Sequence, residues 1–128
     1  MSKGWRTCRL GEIAEIVGGG TPSSKVREYW NGDVPWISPS DLSGYKYRYI
    51  SHGAKSLTTL GLKKSSARLH PPGTLLFTSR APIGYVAIAA NSIATNQGFQ
   101  SLRVDRTKLN IHFAYYLLIV STPVIQAF

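Results

Sequence analysis

No acidic side chain occurs between Leu42 and Val104, although that stretch of the 128-residue chain holds eight bases. A metal-dependent nuclease needs clustered carboxylates to hold its cations. With six acids in the whole chain and none of them in a strand-borne acidic run, that class is excluded. Cys8 is the only cysteine, so an intramolecular disulfide and a thiolate metal cluster are excluded as well. His52, His70 and His112 lack the short spacing of a zinc pair, and each reads as a surface or half-buried histidine. The longest apolar run, Phe113 to Val120, falls far short of the roughly 20 residues a spanning helix needs. The N-terminus "MSKGWRTCRL" has bases but no apolar core, so no signal peptide is expected, and the expected location is cytoplasmic. No metal, no cofactor and no membrane partner is expected.

What is present is enough apolar material for one folded domain: 43% hydrophobic residues and 11% aromatics, with a net charge of +9. The charge is unevenly placed. Residues 1 to 41 hold five bases and five acids, so the excess begins after Asp41. An uncompensated positive field over half a domain favours a polyanion over a small neutral ligand, and nucleic acid is the leading class. The segment "GYKYRYISHGAK" interleaves Tyr45, Tyr47 and Tyr49 with Lys46 and Arg48. Were it extended, the tyrosines would share one face and the two bases the other. Such bases could reach phosphates or guanine edges while the rings pack or stack. An ordinary strand with solvated bases fits the same pattern.

Along the chain, "LGEIAEIVGGG" places Leu10, Ile13, Ala14 and Val17 at helical spacing, and a short amphipathic helix is expected there, ended by the glycines. "GGGTPSSK" is not a phosphate-binding loop, because Thr-Pro stands where the Walker pattern requires Gly-Lys. "NGDVPWIS" couples an Asn31-Gly32 turn to a short strand that Pro35 confines to an edge or to its start. "SPSDL" offers Ser38 or Ser40 as the cap of a helical turn. Lys63 and Lys64 are expected on an exposed loop after a turn-like Gly61. Strands are expected over Thr74 to Thr78, Tyr85 to Ala89 and Gly98 to Val104, arranged as an antiparallel meander. "LNIHFAYYLLIV", capped by Asn110, reads as a buried helix, and "STPVIQAF" as a second one with Ser121 or Thr122 as cap and Pro123 in its first turn. The expected class is α+β, a single compact domain with a mostly antiparallel twisted sheet and short helices mainly at the two ends.

Catalysis finds little footing. "HPPG" at His70 to Gly73 lacks the amide or acid and the aromatic of an amino-methyltransferase loop. Ser79 has no histidine and acid near it in sequence to activate it. A non-catalytic role is expected.

Trp5, "LGEIAEI", "GGTPS" from Gly19 to Ser23, "YWNGDVPWIS", "SDL", Gly61-Leu62, "PPGTLLFTSRAPIG" and "ATNQGF" follow one another in an order that resembles the target recognition domain of type I restriction-modification specificity subunits. The resemblance spans nearly the whole chain. It implies a non-catalytic DNA reader that directs methylation and cleavage by partner subunits. In that family each domain recognises half of a split target through the major groove. Long helices between two such domains dock the methylation subunits, which bind S-adenosylmethionine, and a motor and cleavage subunit joins them. The family pattern implies that residues 1–128 form one recognition domain, incomplete at its C-terminal end and without the spacer helix, which puts partner docking in doubt.

The words shared by members with different targets cannot easily encode a target, so the resemblance points to the segments between them for base reading. The expected base readers are Tyr45, Lys46, Tyr47 and Arg48, then Lys63 and Lys64, with Lys25 and Arg27 as expected phosphate contacts. Arg80, inside a shared word, is kept as a further phosphate contact. Thr78-Ser79 and Asn96-Gln97 are expected to satisfy backbone groups at strand turns rather than to read bases. The alternatives are a general single-strand or RNA binder that stacks bases on the tyrosines, or a non-catalytic interaction module assembling through the apolar helix.

Overall fold

The computed structural model describes residues 14–79, 84–105 and 110–126, and among these residues there are eight strands and three α-helices. In chain order these are β1 (Ala14–Gly18), a 3-10 turn (Arg27–Tyr29), β2 (Trp30–Ile37), α1 (Pro39–Leu42), β3 (Tyr49–Ile50), β4 (Lys55–Leu57), α2 (Thr59–Lys63), β5 (Leu75–Phe77), β6 (Val86–Ala89), β7 (Ala94–Thr95), β8 (Gln100–Val104) and α3 (Ile111–Gln126). They form a five-stranded sheet of order β1-β8-β5-β6-β3 and a three-stranded sheet of order β4-β2-β7. The pairings are antiparallel except for β2–β7 and β3–β6. The class is α+β, with short helices also between the strands.

The five-stranded sheet is covered on both faces because the inward positions of its central strands alternate. Leu75 and Ile88 face one way and, with Leu102, bury Ile111 and Ala114 of α3. Leu76, Ala87 and Ala89 face the other way, onto Ile37, Ile93 and Phe99 from the segments that carry the small sheet. A third cluster, Trp36, Leu57, Ala67 and Ala94, lies within the small sheet, and Leu62 of α2 packs on it.

Several elements stand where the sequence places them. The three expected strands are β5, β6 and β8. Ser38 caps α1, its N–H donating to the Asp41 carboxylate at 2.9 Å. The Asn110 side chain accepts the N–H groups of His112 and Phe113 at 2.9 and 3.1 Å, capping α3.

Others are corrected. Ala14–Gly18 is not helical but the edge strand β1, paired with β8 from Ala14↔Val104 to Gly18↔Gln100; Leu10 and Ile13 lie outside the described residues. A run of ladder bonds outweighs helical spacing whose intrinsic value is about tenths of a kcal/mol per residue. The meander is broken, because β8 returns to the far side of β5 after the chain has visited the small sheet as β7. Pro35 lies in the central strand of that sheet, tolerated because β7 pairs only with Trp36 and Ile37. Gly61 is an interior residue of α2, not a turn. Helix α3 continues through Pro123 without restarting at Ser121 or Thr122. Over residues 111–119 it is only half-buried, with Phe113, Tyr116 and Ile119 exposed at three-residue spacing. No helix among the described residues is long and apolar enough to cross a membrane.

Candidate nucleic-acid interface

Four of the expected contact residues are gathered by the small sheet. Lys25 and Arg27 flank or enter the 3-10 turn, and Lys63 and Lys64 end α2; all four are exposed. The turn and the helix are joined at Thr58, whose N–H donates to Tyr29 O at 2.9 Å and whose hydroxyl donates to Glu28 O at 2.6 Å. The same hydroxyl oxygen accepts the Gly61 N–H and so caps α2. Gly61 is required at this seam, because a Cβ there would collide with the Tyr29 backbone and side chain. Two segments joined across a separation of 30 residues thereby become one basic flank.

Beside that flank lies a cleft that the sequence did not reveal. It has a volume of about 330 Å³ and is lined by Thr21, Ser24, Trp30, Asn31, Trp36 and Lys55. The indoles of Trp30 and Trp36 meet edge to face, with centroids 5.2 Å apart. Each indole N–H is already bonded, Trp30 to Ser23 O at 3.0 Å and Trp36 to Gly20 O at 2.9 Å. Lys55 stands opposite Trp36 in the β2–β4 ladder, and its ammonium lies 5.8 Å from the Trp30 ring centroid. A bulge completes the lining: Trp30 and Val34 both register with Leu57, so residues 31–33 loop out, with Asn31 in the left-handed region at φ 64. The Asn31-Gly32 pair therefore makes a bulge inside a strand rather than a turn before one. Lys55 belonged to the visible acid-free stretch, but nothing local linked it to two tryptophans.

The tyrosine segment sits elsewhere, at the β3 edge of the large sheet. Regular strand is confined to Tyr49–Ile50, and residues 45–48 are irregular and exposed. The tyrosines do gather: the Tyr45 and Tyr47 rings meet edge to face at 5.6 Å, and the Tyr45 hydroxyl donates to Tyr49 O at 2.6 Å. Tyr47, at 73% exposure, presents most of its ring to solvent. Lys46 is exposed. Arg48 turns toward α3, its guanidinium 4.9 Å from the Tyr115 ring centroid and its Nη1 3.4 Å from His112 Nδ1. A guanidinium only donates, so Nδ1 accepts and the Nε2–H points to the Tyr49 hydroxyl at 3.2 Å. Lys46 and Arg48 are thus not presented as a pair.

Thr78, Ser79 and Asn96 at the strand turns are engaged with backbone, whereas the Gln97 side chain is bonded to another side chain. Thr78 Oγ1 accepts the Tyr85 N–H at 2.9 Å, Asn96 Oδ1 accepts the Gly98 N–H at 2.8 Å, and the Ser79 N–H donates to Gly98 O at 2.9 Å. The Thr21 hydroxyl donates to Gln97 Oε1, tying the "GGTPS" loop to this turn. Arg80 lies outside the described residues.

His70 is fully buried, not a surface histidine. Arg103 donates to its Nδ1 at 3.3 Å, leaving the Nε2–H buried without a hydrogen-bond partner. Burial first, then the positive charges of Arg103 and Arg68, push its pKa down from 6.5 to about 4. Glu15 lies 3.9 Å from the same Arg103. Among the described residues no group of three or more His, Cys, Asp or Glu could hold a metal ion.

Residues 2–127 match the family described as the type I restriction modification DNA specificity domain. The chain is 48% identical over 122 residues to the type I restriction enzyme MjaIX specificity subunit of Methanocaldococcus jannaschii, covering 95% of this chain and 28% of that subunit. It is 36% identical over 80 residues to the EcoR124I/EcoR124II specificity subunit of Escherichia coli, covering 62% of this chain and 19% of that one. In fold it is similar to the HsdS subunit from Thermoanaerobacter tengcongensis, with TM-score 0.69 and 22% identity over 92% of this chain and 28% of that one.

Proposed function

The chain belongs to the type I restriction modification DNA specificity domain family, and from that premise we propose that it recognises a specific sequence in double-stranded DNA for a type I restriction-modification system. It would carry no chemistry of its own, directing methylation and cleavage by the methylation and restriction subunits of that system. The observation that carries the reading is the gathering of Lys25, Arg27, Lys63 and Lys64 onto one exposed flank by the Thr58 and Gly61 seam. Tyr45, Lys46, Tyr47 and Arg48 are proposed as base readers, and Lys25, Arg27 and Arg80 as phosphate contacts; Lys63 and Lys64, expected from the sequence as base readers, are reassigned to phosphate contacts because they share the flank of Lys25 and Arg27. An exposed segment of tyrosines and bases suits a groove, and a flank anchored by capping hydrogen bonds suits the backbone.

Anisotropy titrations of the chain with labelled duplex DNA, competed by single strands and by RNA, test this. Duplex should be preferred, with affinity falling steeply as salt rises. A stronger preference for single strands or RNA would support the stacking alternative instead, since the exposed tyrosines are suited to unstacked bases. Selection from a random duplex library should return one short sequence.

A further inference from the structure

We propose that the Trp30–Trp36–Lys55 cleft is an anchoring site for one sugar-phosphate unit of the bound duplex, a contact that fixes position without reading sequence. The inference rests on the DNA-recognition reading and names a site within it. Three properties of the cleft point to this ligand. Among the described lining residues there is no carboxylate, and the Lys55 ammonium, the Ser24 hydroxyl and the Asn31 amide form a donor set for an anion, the Thr21 hydroxyl proton being already given to Gln97. Both indole N–H groups are bonded to backbone carbonyls, so the tryptophans cannot donate to a base edge and serve as apolar walls. Walls of that kind suit a deoxyribose, and donors of that kind suit a phosphodiester. A volume of about 330 Å³ admits one such unit and is far too small for a helix or strand of a protein partner.

The site is also built rather than incidental. Lys55 is fixed by the ladder opposite Trp36 and by the Trp30 ring beneath it. Asn31 is delivered by the bulge, and Ser24 immediately precedes Lys25 of the basic flank. The cleft thus continues the flank of Lys25, Arg27, Lys63 and Lys64 across the small sheet. Glu28 and Asp33 are the acids of these segments; both are exposed, and neither lines the cleft.

The test compares the parent chain with Lys55→Gln and Lys55→Arg on a selected duplex and on a scrambled one, across a salt series. Lys55→Gln should weaken both duplexes by the same factor, about threefold to tenfold. It should also reduce the magnitude of the log-affinity against log-salt slope by about one, while Lys55→Arg keeps most of the binding. Ethylation interference should identify a phosphate whose modification weakens the parent but not Lys55→Gln. A change in preference between the duplexes, or unchanged affinity and slope, overturns the proposal while leaving DNA recognition standing. Failure of the parent to bind any duplex at low salt overturns the recognition reading and this one with it.

Discussion

The basic flank of the small sheet and the tyrosine segment of the large sheet carry charge of the same sign on different footings. The flank is held by backbone and capping hydrogen bonds at Thr58 and by a close approach at Gly61, so its lysines project from fixed origins. The tyrosine segment is irregular over residues 45–48 and exposed, and its arginine is engaged by His112 and Tyr115 of α3. The difference teaches that charge density alone does not define a reader. An origin anchored by capping bonds favours contacts that repeat along any duplex, whereas an exposed irregular segment carrying rings and bases can enter one groove.

The largest effect is expected where both regions share a support. Phe99 is fully buried in the cluster where Ile37 and Ile93 meet Leu76, Ala87 and Ala89. Phe99→Ala should cost about 3–5 kcal/mol, read as a lower urea midpoint with loss of binding through both regions. If binding by only one region suffered, the two would be independently supported.

His70 gives the next effect, on stability. Its pKa is lowered to about 4 in the folded state, so between that value and 6.5 the unfolded chain binds more protons. Stability should therefore be complete above about pH 6.5 and fall by up to about 3 kcal/mol as pH drops toward 4. Urea midpoints at several pH values measure this, and His70→Gln should flatten that dependence. An unchanged slope in the variant would assign the pH response to other groups.

The smallest effect separates the two regions by kind rather than size. Lys46→Ala with Arg48→Ala should reduce discrimination among duplexes by about 1–3 kcal/mol. Lys63→Ala with Lys64→Ala should instead weaken all duplexes alike and flatten the salt slope. Binding to selected and scrambled duplexes decides it, and exchange of the two patterns would reverse the proposed roles.

What could be read in the sequence was local. Strands β5, β6 and β8 announce themselves by apolar runs between proline, glycine and asparagine turns, and the Ser38 and Asn110 caps by side chains that bond within three residues. The resemblance carried by "GGTPS", "PWIS" and "ATNQGF" supplied the family. What could not be read depended on distant partners. Ala14–Gly18 is a strand only because β8, more than 80 residues later, offers an edge. The cleft needs Lys55 brought opposite Trp36, and Arg48 is diverted by His112, 64 residues further along the chain. Periodicity within one segment contains none of these contacts.

The tight seam at Gly61 limits how this surface can change. Hydrogen is the one substituent that fits against Tyr29, yet Lys63 and Lys64 meet solvent two and three residues further on. Substitution is thereby channelled outward: the hinge of the flank admits no alternatives, while the charges it displays can be exchanged without asking the fold to move.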